Sequence, residues 1–452
     1  MARALLVVIA LVASEAGAQR ASLAPTPPMG WNSWDSYGTT VTETQVKAQA
    51  DVMARDLAPY GWRYVTVDIQ WYQPTARGHD YQPGARLAMD DYGRLVPAPN
   101  KFPSGFRSLA DYVHAKGLRF GIHIMRGIPR QAVAANTPIL GTAYHARDVA
   151  DTTNPCRWNP DMWGVDVTKP GGQAYYDAIA ALYASWGVDF VKADDMGSHA
   201  FQPSEIAALR RALDRTGHPI VLSISPGPAP LDQAAFFAEH AEMWRISDDF
   251  WDDWRLVRKQ FDYARDWAPS VGVRHTWPDA DMLPFGRLRL TDSAGRGSPS
   301  RLTADEQRTV MTLWSIFRSP LVMGGDLLTL DAATRALLTN PEVLAVNQHG
   351  RSPRQVLDQG RVRVWRSTAP NGRDAYVAVF NLDTASQRID LSWTDIGLAA
   401  GRHRLRDLWA RRDATPAERL RVELAPHASA LYRVTSRAPC AAPAPRTGCG
   451  SP

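Results

Sequence analysis

Cysteine is nearly absent, with three residues in 452. Cys440 and Cys449 lie close together in a Pro- and Ala-rich tail and could pair locally, which leaves Cys156 single. A disulfide framework therefore does not hold this chain together. No long apolar run follows residue 18, which removes a membrane-spanning helix from the expected elements. The formal charge is only +5 and the basic residues are scattered, with no dense Lys/Arg block, so no nucleic-acid surface is expected. A glycine-rich dinucleotide fingerprint is missing, and no pair of histidines has the spacing of metal ligands: His123 stands alone on its segment, as do His199, His218, His240 and His275.

The chain does contain an export-type start. Arg3 gives a short positive region, Ala4 to Ala13 is apolar but too short to span a bilayer, and Ala16-Gly17-Ala18 fits the small-residue cleavage pattern. Residues 1–18 are thus expected to be a signal peptide, with the mature chain starting near Gln19 in the periplasm or medium. Apolar residues make up 45% and charged residues 21%, ordinary values for globular domains with large cores. Sixteen tryptophans are a further resource, because a flat ring with one N–H suits the face of a sugar.

One module recurs: an amphipathic helix, a glycine, then a short apolar strand ending in polar residues. The first helix opens at Thr42-x-x-Gln45, a capping-box pattern, and carries Val46, Ala50, Met53 and Leu57 at helical spacing before Gly61. The strand Tyr64-Val65-Thr66-Val67-Asp68 follows. The next unit has Phe106, Leu109 and Val113, then Gly117 and Arg119 to His123. A third runs from Tyr175 to Trp186, then Gly187 and Asp189 to Asp194. Further strands are expected at Met29–Trp34, Ile220–Ser225, Met243–Ser247, Arg274–Trp277 and Pro320–Met323, the last after a helix capped by Thr303-x-x-Glu306. Eight such units predict an α/β fold, a (β/α)8 TIM barrel over residues 19–345. From 346 to 436 short alternating strands predict an antiparallel β-sandwich, and 437–452 a flexible tail.

Active sites of such barrels sit at the C-terminal strand ends. There the chain places Trp34, Asp68, His123, Lys192 with Asp194, Ser225, Arg245 with Asp249, and Asp281. Carboxylates, bases and tryptophan in one ring fit glycoside hydrolysis, which needs two carboxylates flanking the scissile bond. Lys192 and Asp194 are two apart on a strand and share a face, and the cation keeps the carboxylate ionised. The bland alternative is a buried ion pair inside the barrel. Asp195 points the other way and is expected to brace a neighbouring strand or loop. By spacing alone Asp248, Asp249, Asp252 and Asp253 are all candidates for the acid, most of them loop or helix-cap residues.

Five motifs carry a resemblance: Met29-Gly30-Trp31-Asn32-Ser33-Trp34, Val67-Asp68-Ile69-Gln70-Trp71, Val191-Lys192-Ala193-Asp194-Asp195, Trp244-Arg245 followed by Asp249, and Asp279-Ala280-Asp281-Met282-Leu283. In this order they resemble glycoside hydrolase family 27, the melibiase-like α-galactosidases. The resemblance implies Asp194 as nucleophile and Asp249 as acid/base of a retaining exo-glycosidase. It implies Trp34, Asp68, Lys192, Arg245 and Asp281 as sugar-holding residues, with Ile69, Trp71, His123 and Ser225 completing the pocket. No metal or organic cofactor is implied, and the only partner implied is a carbohydrate: no nucleic acid and no membrane.

Typical members of that family have two adjacent aspartates where this chain has Asp68-Ile69, the second reaching the hydroxyl on the exocyclic carbon. Ile69 accepts no hydrogen bond, so a galactose O6 buried there would lose about 1–3 kcal/mol. β-L-Arabinopyranose has the same ring configuration without that group. The run Gly121 to Arg130 and the Asp68-Ile69-Gln70-Trp71-Tyr72 stretch resemble the β-L-arabinopyranosidase branch. The alternatives are a strict α-galactosidase in which Ile69 is only packing, and a non-catalytic sugar-binding protein.

Overall fold

The computed structural model describes residues 23–198, 201–291 and 295–436. Residues 1–18, expected to be a signal peptide, the expected tail with Cys440 and Cys449, and His199 lie outside the described residues.

Eight short strands run in parallel: β1 (Met29–Asn32), β2 (Tyr64–Val67), β3 (Arg119–Met125), β4 (Phe190–Asp194), β5 (Val221–Ile224), β6 (Met243–Arg245), β7 (Trp277–Asp279) and β8 (Leu321–Met323). Their order is β7-β6-β5-β4-β3-β2-β1-β8, so each strand neighbours the next in sequence, and β8 returns to β1. The sheet curls until its ends meet just past β7. There Leu283 N–H donates to Val322 O at 2.7 Å, and Leu283 bridges Met323 in parallel. The result is a TIM-like barrel.

Local chemistry explains the helices that alternate with these strands. In α1 (Glu43–Val52) the expected capping box is present, with Gln45 N–H on Thr42 Oγ1 and Thr42 N–H on Gln45 Oε1. Val46, Ala50, Met53 and Leu57 are all buried. The helix then widens into a π-turn and tightens into a 3-10 turn, and Gly61 at φ 99° lets the chain reverse into β2. Helix α2 (Gly105–His114) buries Phe106, Leu109 and Val113, and α3 (Pro170–Ser185) leads through Gly187 into β4. Further helices include α4 (Pro203–Arg215), α5 (Ala234–His240), α6 (Trp254–Trp267), α7 (Ala304–Phe317) and α8 (Pro341–His349). The Thr303/Glu306 capping box opens α7.

Four expected strands need correction. The strand expected at Arg274–Trp277 is β7, Trp277–Asp279: Gly272 starts a 3-10 turn in which Arg274 and His275 take positive φ, which no strand tolerates. The first strand stops at Asn32, and Trp34 instead opens a short helical turn, Trp34–Tyr37. The strands expected to end at Ser225 and Ser247 stop at Ile224 and Arg245.

The C-terminal unit is an antiparallel sandwich. Its six-stranded sheet has the order β9-β10-β11-β16-β13-β14, and β12 pairs with β15 opposite it. These are β9 (Arg351–Gln359), β10 (Val362–Thr368), β11 (Ala375–Asn381), β12 (Gln387–Ser392), β13 (His403–Asp407), β14 (Arg412–Ala417), β15 (Arg419–Leu424) and β16 (Ser429–Ser436). β9 and β14 are edge strands, largely exposed and interrupted by proline, and carry no alternation that would mark them in the sequence. The sandwich leans on α7. His427 Nδ1 lies 2.7 Å from Glu306 Oε1, Thr309 Oγ1 donates to His427 O, and Trp409 Nε1 donates to Thr312 Oγ1. Trp365 and Trp393 are fully buried, so they hold the unit together and offer no sugar-binding stripe.

Candidate active site

At the C-terminal mouth of the barrel a cavity of about 430 Å³ is lined by Trp34, Asp68, Ile69, Tyr81, Trp158, Lys192, Asp194, Pro226, Asp248, Asp249 and Met282. Six of these were expected from sequence: Trp34, Asp68, Ile69, Lys192, Asp194 and Asp249.

The floor is an ion network. Strand alternation puts Lys192 and Asp194 on the same face of β4, and the β3–β4 register sets His123 beside Lys192. Lys192 Nζ donates to Asp68 Oδ2 at 2.9 Å, and Asn32 Nδ2 donates to the same oxygen at 2.7 Å. Burial alone would raise the Asp68 carboxyl, but Lys192 and His123 outweigh it and hold it down at about 2. Lys192 in turn is held above its ordinary value, since Asp68 and Asp194 more than offset its own burial.

Asp194 closes β4. Its Oδ2 lies 3.0 Å from His123 Nε2, and its Oδ1 accepts from Asp195 N–H at 2.8 Å. Burial raises its pKa. The His123 hydrogen bond, the Lys192 charge and the Asp195 amide together carry it below the usual value, so the carboxylate stands ionised. An ionised carboxylate needs donors, so the His123 nitrogen facing it carries the proton.

The second carboxylate differs. The Asp249 side chain is 61% exposed and reaches into the cavity from the loop after β6. Arg245 Nη2 lies 3.3 Å from Asp249 Oδ1 and 2.8 Å from Asp281 Oδ2. Asp281, at φ 81°, also accepts from Phe250 N–H, which ties the Asp249 loop to the end of β7. Arg245 and Asp281 are buried behind the cavity wall, so they position Asp249 from outside the cavity. Of the three rival acids Asp248 lines the same cavity, and the other two are occupied elsewhere. Asp252 is fully buried between Arg289 and Arg301, and Asp253 caps α6 through Arg255 N–H.

Five expected site residues stand off the cavity: Arg245 and Asp281, and also Trp71, His123 and Ser225. Trp71 turns into the core, edge-on to Tyr72 and close to Phe106, and its Nε1 donates to His123 O at 2.7 Å. His123 is fully buried and hydrogen-bonds to the cavity-lining Asp194 from behind. Ser225 is buried, with its carbonyl taking the amides of Met196 and Gly197, while Pro226 forms the wall. Asp195 braces a loop, as expected: Arg126 Nε donates to Asp195 O and Oδ2, and Arg126 Nη1 to Glu205 Oε1. The Arg126 backbone N–H also donates to Asp194 O, so one arginine holds the consecutive carbonyls of Asp194 and Asp195.

Tyr81 and Trp158 were missed. They sit on the long loops after β2 and β3, where no periodicity marks them; an aromatic ring in a polar, Gly- and Pro-rich loop is the only signal. Among the described residues no group of three His, Cys, Asp or Glu is arranged to hold a metal ion.

Residues 26–169 and 161–349 match the family model described as alpha galactosidase A, and residues 359–434 match the alpha galactosidase C-terminal beta sandwich domain. The chain is similar to a solved GH27 β-L-arabinopyranosidase from Geobacillus stearothermophilus. The identity is 52%, the TM-score 0.89, and the match covers 92% of this chain and 98% of that one. A variant of that enzyme in complex with arabinose is 51% identical at TM-score 0.89, with coverage of 93% and 99%. Alpha-galactosidase 3 of Arabidopsis thaliana is 31% identical over 401 residues, covering 87% of this chain and 77% of that protein. On these matches, and with its barrel, sandwich and motif order, the chain belongs to the melibiase family, glycoside hydrolase family 27, and is a glycosidase.

Proposed function

We propose that this glycosidase releases terminal β-L-arabinopyranosyl units, accepting α-D-galactosyl units less well, by double displacement with retention. Asp249 donates its proton to the glycosidic oxygen as the C–O bond breaks, and Asp194 attacks the anomeric carbon to form a glycosyl ester. Water, deprotonated by Asp249, then attacks the same carbon, and the ester bond breaks to return Asp194 as carboxylate. Asp68 and Lys192 hold ring hydroxyls, and Trp34 lines the apolar side of the ring.

The sugar preference rests on one observation: Ile69 is a cavity-lining residue next to Asp68. A galactose O6 directed at it would be desolvated without a partner, while a pentopyranose places no hydroxyl there. The arabinose-bound relative is consistent with this reading. Residues 1–18 are further proposed to direct export.

Hydrolysis of p-nitrophenyl β-L-arabinopyranoside and p-nitrophenyl α-D-galactopyranoside by the purified protein tests the proposal. The expected result is a higher kcat/KM for the arabinopyranoside. A clear preference for the galactoside makes this a strict α-galactosidase with Ile69 as packing.

A further inference from the structure

All sixteen tryptophans fall within the described residues, and Trp158 alone among them is exposed, at 38%. An indole left in water contributes little to the fold, and this one lies on the wall of the catalytic cavity. Its position is built rather than incidental. It stands in the turn between two short antiparallel strands, Ala150–Pro155 and Met162–Val165, on the loop after β3. Asn159 N–H donates to Cys156 Sγ, Asp161 N–H to Asn159 Oδ1, and Arg126 Nη2 to Asn154 O. Gln70 Nε2 and Tyr72 OH both donate to Asp161 Oδ2, which fastens the turn to the segment carrying Ile69.

Three rings run from the floor of the cavity to its mouth. Trp34 lies nearly parallel to Tyr81, with centroids 6.4 Å apart and planes 9° apart, and Tyr81 meets Trp158 at 5.3 Å. The polar groups that hold the departing sugar, Asp68 and Lys192, lie on the floor. Asp249, which protonates the leaving oxygen, lies toward solvent with the exposed Asp248 beside it. A leaving group must therefore pass between the Asp248–Asp249 loop and the Tyr81–Trp158 wall.

We infer that Trp158, with Tyr81 and Asp248, forms a leaving-group subsite for a second sugar ring, so that the substrate is an oligosaccharide whose penultimate pyranose stacks on the indole. A pyranose has an apolar C–H face for the indole and hydroxyls at its edge for a carboxylate. A sugar's edge hydroxyls can donate to Asp248, a contact that a purely apolar aglycone cannot make, which favours the sugar. The inference rests on the retaining-glycosidase reading above.

The test compares parent, Trp158→Ala and Trp158→Phe on three substrates with the same terminal β-L-arabinopyranosyl unit: the glycosyl fluoride, which has no leaving-group ring, the p-nitrophenyl glycoside, and a disaccharide. The expected result for Trp158→Ala is an about tenfold fall in the ratio of kcat/KM for disaccharide to kcat/KM for fluoride, largely restored in Trp158→Phe. An unchanged ratio overturns the subsite. A fall confined to the p-nitrophenyl glycoside overturns the sugar and leaves an aryl platform. A parent enzyme inert on the fluoride and on all galactosyl counterparts overturns instead the glycosidase reading on which the subsite depends.

Discussion

His123 Nε2 stands 3.0 Å from Asp194 Oδ2 at the bottom of the cavity, while the other ring nitrogen, Nδ1, is buried with no hydrogen-bond partner among the described residues. A buried polar atom left unpaired costs about 1–3 kcal/mol, so the ring is held there at the expense of the fold. What it gives in return is a proton donor aimed at Asp194, the proposed nucleophile. Replacing His123 with Phe removes the donor and keeps the shape. The Asp194 pKa then rises, because burial is no longer opposed by that hydrogen bond. The acid limb of the pH profile of kcat/KM should move to higher pH, and the plateau should fall by about tenfold. An acid limb that stays in place would show that Lys192 and the Asp195 amide keep Asp194 ionised unaided.

What the sequence made legible was what is local and periodic. The capping boxes at Thr42/Gln45 and Thr303/Glu306 lie within single turns, and the shared face of Lys192 and Asp194 follows from a two-residue repeat. Trp71 shows where that reasoning stops. It follows β2 in a turn, so strand parity no longer fixes its direction, and a hydrogen bond to the carbonyl of His123, 52 residues away, draws it into the core. Ser225 fails similarly, because β5 ends one residue earlier. Tyr81 and Trp158 reach the cavity from separate loops whose course depends on long-range ties such as Gln70 to Asp161. Nothing in neighbouring residues reports such ties.

Ile69→Asp places a carboxylate on the wall beside Asp68. The ratio of kcat/KM for α-galactoside to that for β-L-arabinopyranoside should rise by about tenfold or more, the worth of one recovered buried hydrogen bond. The same substitution should lower turnover of the arabinopyranoside, since a new carboxylate next to Asp68 is desolvated when no O6 meets it. Side-by-side kinetics on the two p-nitrophenyl glycosides read both effects, and an unmoved ratio would remove Ile69 from sugar selection.

Arg126 neutralises Asp195 and Glu205 in a buried cluster, with Tyr176 OH on Glu205 Oε2 at 2.6 Å. Arg126→Met strands two buried carboxylates, and removing one partner of a buried pair costs about 3–5 kcal/mol. The variant should melt well below the parent and lose activity, because the same guanidinium fixes the backbone after Asp194. Adding Glu205→Gln to it should restore part of the melting temperature, as only one stranded carboxylate remains. If the double variant melts no higher than the single, the loss comes from packing and not from charge.

Asp279 ends β7 beneath the catalytic network, and burial pushes its carboxyl up to about 7 despite the pull of Arg245. A carboxyl raised in the folded state, from about 3.9 in the unfolded chain, contributes stability that is complete below about pH 4 and lost as pH rises through 7. Asp279→Asn cannot ionise, and its side-chain oxygen can still accept from Asp281 N–H, the bond that Asp279 Oδ1 makes at 2.9 Å. The melting temperature of the variant relative to the parent should therefore climb between pH 4 and pH 7 and level off above. Thermal unfolding across that range measures it. A difference that does not change with pH would mean that Asp279 ionises freely, in which case Arg245 serves three carboxylates (Asp249, Asp279 and Asp281) and not two.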